Sequence, residues 1–224
     1  MELRPIDKDE AARYMGVKGA PDGAVLELLD RVEPIVRRTV RPNYVYIVTD
    51  ISFEEGGVRL GSIPSLFTGE SIRKHLSGCT KAVILAATLS GEADKLIRQT
   101  AVTDMAESLA ADCLCSAAIE QVCNNAEDEI FQRIDAPYRT WRFSPGYGDL
   151  SITLQGDILR ALNAQRRIGL TLTDSMLLLP SKSVTAIIGI SDSKLNRGAR
   201  GCAICNMRES CAFAYTKNSC GSHR

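Results

Sequence analysis

Histidine is almost missing from this 224-residue chain: His75 and His223 are the only two. So few imidazoles argue against a catalytic metal centre built on several histidine ligands. Net charge is missing as well, because 27 basic side chains face 27 acidic ones. Binding to nucleic acid or to an anionic membrane draws on a surplus of lysine and arginine, and this chain has none. Long apolar runs are also absent. The longest, near 82–89 and 186–190, fall far short of the ~20 residues a membrane-spanning helix needs. The opening Met1-Glu-Leu-Arg-Pro-Ile-Asp-Lys-Asp-Glu is charged and lacks the apolar core of a signal peptide, so a cytoplasmic setting is expected. Neither an internal repeat nor a low-complexity stretch occurs.

Cysteine, by contrast, is plentiful, with eight residues. In a reducing cytosol these point to metal ligation or inert burial rather than to disulfides. Four of them form the pattern Cys202-x2-Cys205-x5-Cys211-x8-Cys220. A Cys-x2-Cys pair lets two sulfurs face one ion across a tight turn, and two further thiolates complete a tetrahedral or cubane set. A [4Fe–4S] cluster is the favoured reading and zinc the alternative, since both accept four thiolates. From residue 196 onward Gly, Asn, Ser, Arg and Cys dominate and no apolar period survives. The chain therefore divides into a domain over 1–195 and a cysteine-cluster tail over 196–224, ordered by its metal. Cys79, Cys113, Cys115 and Cys123 read as small buried hydrophobes.

Asp7 followed by Glu10 predicts a short helix over Glu10–Met15, and Pro21-Asp22 opens another. That second helix is striped by Val25, Leu28, Leu29, Val32, Ile35 and Val36, with a bend at Pro34. Tyr44–Phe53 and Val58–Leu60 flank Glu-Glu-Gly-Gly as a hairpin. Glu70–Leu76 is a short helix closed by Gly78, and Lys81–Ala87 a strand buried on both faces. Ser90 caps a further helix, and a long one rich in small side chains runs over 103–130. Tyr138–Phe143 is extended. Leu154, Ile158, Leu159 and Leu162 mark an amphipathic helix ending near Gly169, and Met176–Leu179 and Val184–Ile190 read as strands. Helices and strands do not alternate strictly. The class expected is α+β: a mixed or antiparallel sheet packed with helices, one of them long and central, plus an irregular metal-bound tail.

Arg142-Phe-Ser144-Pro145-Gly146-Tyr147 joins a fixed cation, a rigid bend and an aromatic hydroxyl within six positions. Such a bend exposes backbone groups that neither helix nor sheet consumes. Arg142 offers a planar fork suited to a carboxylate, and Tyr147 a flat face with one hydrogen-bonding tip. The run from Arg139 through Tyr147, then Gly169-Leu-Thr-Leu-Thr-Asp174-Ser175 and Pro180-Ser-Lys-Ser-Val184, resembles the reactivation domain of cobalamin-dependent methionine synthase. The resemblance covers about residues 80–195.

The resemblance implies an S-adenosylmethionine site in which Arg142 holds the carboxylate and the Ser144-Pro145-Gly146 backbone takes adenine or amino-acid edges. In the same reading Tyr147 covers the sulfonium as the residue at the reacting group, and Glu107 answers the ammonium or a ribose hydroxyl. It implies methyltransferase-type repair chemistry, the reductive methylation of cob(II)alamin to methylcobalamin, with cobalamin on a separate methionine synthase or other corrinoid chain. An electron donor such as ferredoxin or flavodoxin completes it, and the cysteine cluster would bring the electron in. The work is positioning rather than acid–base catalysis, which agrees with the scarcity of histidine. A non-catalytic, metal-containing docking or electron-transfer module for a corrinoid protein is the alternative. Three departures from the family stand out. Gly148-Asp149-Leu-Ser-Ile replaces a polar segment after the Pro-Gly-Tyr, Leu195 replaces a family tyrosine, and the family's N-terminal ligand aspartate has no counterpart near Met1.

Overall fold

Side-chain caps start the first helices. Asp7 accepts from the Glu10 N–H at 3.0 Å and opens α1 (Lys8–Tyr14). Asp22 accepts from the Val25 N–H at 2.9 Å and opens α2 (Gly23–Thr39), which carries Pro34 inside and buries Leu29, Val32 and Val36. The β-branched and aromatic run that follows forms β1 (Asn43–Glu54). It turns at Glu55-Gly56 into β2 (Gly57–Leu60), to which a short β3 (Leu66–Thr68) is added. Next come α3 (Glu70–His75), β4 (Lys81–Thr88) and α4 (Gly91–Thr103). The computed structural model describes residues 3–134, 136–195 and 209–211.

The long helix starts later than its composition predicts. Asp104 is extended (φ −153°) and its carboxylate accepts from the Ala106 N–H at 2.8 Å, so it separates α4 from α5 (Met105–Ile134). The extended segment after α5 pairs only over β5 (Tyr138–Arg139), with one further bridge from Phe143 to Ile187. The helix expected up to Gly169 is broken in two. After a 3-10 turn at Ile152–Leu154, α6 (Gln155–Leu162) ends where Asn163 takes φ +50°, and α7 (Ala164–Ile168) follows. A two-stranded ribbon, β6 (Thr171–Leu172) with β7 (Leu178–Leu179), precedes β8 (Ser183–Ser191).

The main sheet has the order β3-β2-β1-β4-β8-β5, and each of its pairings is antiparallel. An α+β fold with an antiparallel sheet and a long helix is thus what the chain adopts. β4 lies between β1 and β8, and its side chains alternate between two cores. Val83 and Leu85 pack with Ala126 and Ile130 of α5, whereas Ala82, Ile84 and Ala86 pack with Ile72, Leu154 and Ile158 on the other face. α1, α2, α4 and α5 therefore cover one face, and α3, α6 and α7 the other. Small side chains on α5 (Ala110, Ala111, Ala117, Ala118, Ala126) let it lie close against its neighbours.

Cys79, Cys113, Cys115 and Cys123 are all buried. Burial pushes the Cys79 and Cys113 thiols up to about 11 and that of Cys115 to about 12, the marks of inert core residues.

A bend at the sheet edge as the candidate functional site

The segment 138–150 leaves α5, runs antiparallel along β8 and then turns over the sheet edge. Residues in an extended segment point alternately to opposite sides. Phe143 exchanges backbone hydrogen bonds with Ile187 (3.0 and 2.7 Å) and packs on the face of α3 and α6. Arg142, one residue earlier, points to the α5 face. Its guanidinium donates to Glu127 at 2.8 Å, to Glu120 at 3.1 Å and to Asn124 Oδ1 at 2.9 Å, and its side chain is only 7% exposed. Glu127 also pairs with Arg139 at 3.1 Å, and Arg139 pairs with Asp128 at 3.1 Å while lying over the Phe131 ring at 4.6 Å.

The bend itself is tightly made. Tyr147 N–H donates to the Ser144 carbonyl at 3.1 Å, Gly146 N–H to the Leu150 carbonyl at 2.9 Å, and Leu150 N–H to the Tyr147 carbonyl at 3.0 Å. Gly146 takes φ +91°, where a side chain would be strained and its Cβ would press on Ile152 at 3.2 Å. The N–H groups expected to face a ligand are therefore turned inward. What the bend offers outward is the Tyr147 ring, 59% exposed, and the exposed Gly146, whose carbonyl meets no backbone donor among the described residues; Pro145 is buried. Ser144 faces the sheet, its hydroxyl donating to the Thr185 carbonyl at 2.6 Å.

Asp149 anchors the far side. Its carboxylate accepts from the N–H groups of Glu70 (2.7 Å) and Ser71 (3.0 Å) at the start of α3. The Ser71 hydrogen bonds hold this carboxyl below its ordinary range. Behind the bend, the His75 ring stacks on Phe143 at 4.8 Å and meets the Thr140 hydroxyl at 2.9 Å, while Phe143 meets Tyr147 edge-on at 6.0 Å. Burial drives the His75 pKa down to about 4, against the opposing pull of hydrogen bonds to the Ile187 and Trp141 backbone. His75 is a packing residue here and is neutral near pH 7.

Of the residues expected at the site, Ser144, Pro145, Gly146 and Tyr147 come together in one rigid corner with Arg142 at its root. Glu107 stands apart. It sits on the first turn of α5, ~20 Å of helix rise from Glu120, and its carboxylate accepts from Arg31 of α2 at 2.9 Å. Sequence reasoning missed Glu120, Asn124 and Glu127 as partners of Arg142. Their i, i+4, i+7 spacing, which sets three polar side chains along one stripe of the helix, was the available signal. Of the proposed metal ligands, Cys202, Cys205 and Cys220 lie outside the described residues, and Cys211 is half-buried. Among the described residues, no group of three or more His, Cys, Asp or Glu is placed to hold a metal ion. No helix among them is long and apolar enough to cross a membrane.

The molecule is thus an α+β domain that presents a Pro-Gly-Tyr corner at the edge of an antiparallel sheet. Residues 85–195 match the model of the vitamin B12 dependent methionine synthase activation domain, and over that stretch the chain is similar to this family. Thirteen chains of solved structures match as well. Among them is the MetH reactivation domain bound to AdoHcy, similar with a TM-score of 0.63 and 15% identity over 86% of this chain and 76% of that one. A comparison with curated protein sequences finds no match.

Proposed function

We propose that this chain binds S-adenosylmethionine at the Ser144–Tyr147 corner and serves as the reactivation component of a cobalamin-dependent methionine synthase or related corrinoid protein held on a separate chain. One observation carries the reading. Within the family-matched stretch, the corner is fixed to α5 and to α3 on its two sides, yet leaves the Tyr147 ring and the Gly146 backbone exposed. Carbonyls accept from an adenine amino group or an ammonium, and the face of Tyr147 suits a sulfonium. The similar domain solved with AdoHcy, the demethylated form of this donor, supports the ligand class.

In the reaction proposed, one electron from a ferredoxin- or flavodoxin-type donor reduces the partner's cobalt, which then takes the methyl as the sulfur–methyl bond breaks, releasing AdoHcy. The residues of this chain bind, orient the methyl and exclude water. We infer that Cys202, Cys205, Cys211 and Cys220 would hold a [4Fe–4S] cluster, which would supply one-electron transfer, with zinc as the other occupant that four thiolates allow. Anaerobic reconstitution followed by iron and sulfide analysis tests this, and zinc without iron ends that role. The methyl-transfer reading is tested with a corrinoid partner and a low-potential reductant. S-adenosylmethionine should convert the cob(II)alamin spectrum to that of methylcobalamin with one AdoHcy released per cobalt. Conversion that proceeds equally without this chain contradicts it.

A further inference from the structure

Asp149 follows Tyr147 by two positions, in the stretch where the chain departs from the family pattern. We infer that Asp149 is a positioning residue: by capping α3 it fixes the outer limb of the corner, and so the direction of the Tyr147 ring, without touching the ligand. This inference rests on the proposed binding of an S-adenosyl ligand at Tyr147.

Three observations carry it. The first is a cap supplied from a distance. Gly69 stands at the N-cap of α3 and has no side chain to satisfy the donors of the first turn. Asp149 does so across 79 positions of sequence, one carboxylate oxygen accepting from the Glu70 N–H at 2.7 Å and the other from the Ser71 N–H at 3.0 Å. Both oxygens are thus engaged inward, toward α3. The second is closeness. A Cβ on Gly69 would lie 2.7 Å from the Asp149 carboxylate, and one on Gly148 would lie 2.4 Å from the Ser71 hydroxyl oxygen. The two backbones therefore meet where no added side chain fits. The third is the firmness of α3 itself. It buries Ile72 completely, its Arg73 donates to the Glu54 and Gly57 carbonyls at 2.9 Å each, and its His75 stacks on Phe143. Tyr147 needs such an anchor. Its ring is 59% exposed and meets Phe143 edge-on at 6.0 Å, so packing holds it loosely. Its carbonyl accepts from the Leu150 N–H at 3.0 Å, which places Asp149 inside the turn that carries the ring.

A cap, a ligand contact and a general loss of stability give different results. Calorimetric titration of the full chain with AdoHcy compares wild type, Asp149→Ala, Asp149→Asn, Tyr147→Ala, the Tyr147→Ala/Asp149→Ala double variant and Asp22→Ala, which removes the same kind of cap from α2. Asp149→Ala should weaken binding roughly five- to tenfold, no more than loss of the ring itself. Asp149→Asn keeps one acceptor for the α3 donors and should stay within about threefold of wild type. Asp22→Ala should stay within about twofold, because a cap lost elsewhere leaves the corner in place. In the Tyr147→Ala background the change at Asp149 should cost less than about twofold, since its effect passes through the ring. Equal losses in Asp149→Asn and Asp149→Ala would place the charge against the ligand and overturn the inference. Losses that multiply in the double variant, or wild-type affinity in Asp149→Ala, overturn it as well. If Asp149→Ala does not fold, Gly148→Ala, which forces Ser71 away and keeps the carboxylate, is read by the same cycle: a loss confined to the chain that has the ring supports the inference, and an equal loss in both backgrounds overturns it. Failure of the wild type to bind AdoHcy overturns the binding reading and the inference with it, an outcome distinct from losses among variants of a chain that binds.

Discussion

Helix α5 carries a glutamate–arginine pair near each of its ends, and the two pairs are chemically alike. At the first turn, Glu107 meets Arg31 at 2.9 Å, with side chains 26% and 57% exposed. About three-quarters of the way along, Glu127 meets Arg142 at 2.8 Å, with side chains 14% and 7% exposed. The first pair ties two surface helices together in water. The second sits under the sheet edge, shares Glu127 with Arg139, and fixes the segment that makes the candidate site. Burial, not chemistry, separates a surface tie from a structural pin.

That contrast can be broken by removing one partner at each end. The largest expected effect is at the buried pair. Arg142→Ala should lower stability by about 3–5 kcal/mol, because it removes the buried guanidinium that Glu120, Asn124 and Glu127 share and leaves Glu127 to Arg139. Denaturant unfolding checks this, and a loss no greater than that of Arg31→Ala would erase the distinction. Next is acid. The unfolded chain protonates His75 near 6.5, whereas the folded chain holds it neutral to about 4. Stability from this residue is therefore complete above the higher value and lost as pH falls between the two, by at most about 3 kcal/mol. His75→Gln should flatten that stretch of the stability–pH curve, and an unchanged slope would show that the ring is not what the acid titrates.

Smaller again is the effect at the exposed ring. Tyr147→Ala should weaken S-adenosyl ligands about tenfold while leaving stability within about 0.5 kcal/mol, since most of the ring already faces solvent. The smallest effect belongs to the exposed pair. Arg31→Ala should cost about 0–1 kcal/mol, and Glu107→Gln should leave ligand affinity within about twofold of wild type. A large affinity loss in Glu107→Gln would bring that residue into the site and break the comparison from its other end.

Much of the fold was legible because local chemistry and burial agreed. The unbroken apolar run at Lys81–Ala87 needed a place covered on both faces, and β4 is that place. Asp7 and Asp22 announced the helices they cap. The strand β3 was missed because three residues carry too little period to read. The break at Asn163 was missed because the apolar stripe continues across it into α7. At the site, the corner 144–147 was legible from Pro-Gly chemistry, and the resemblance to methionine synthase reactivation domains holds over 85–195. The partner of Arg142 was not legible, because an arginine's spacing says what it can bind and only the register of strand against helix says what it faces. The N–H groups of the bend were misjudged for a related reason: a turn this tight uses its own donors.

The central claim, that the 144–147 corner seats an S-adenosyl ligand through Tyr147, is tested most directly by calorimetric titration of the full chain and of Tyr147→Ala with AdoHcy. The account predicts saturable heat at one site per chain in the wild type and a roughly tenfold weaker site in the folded variant. Equal affinity in the two proteins, or no heat in the wild type, would contradict it.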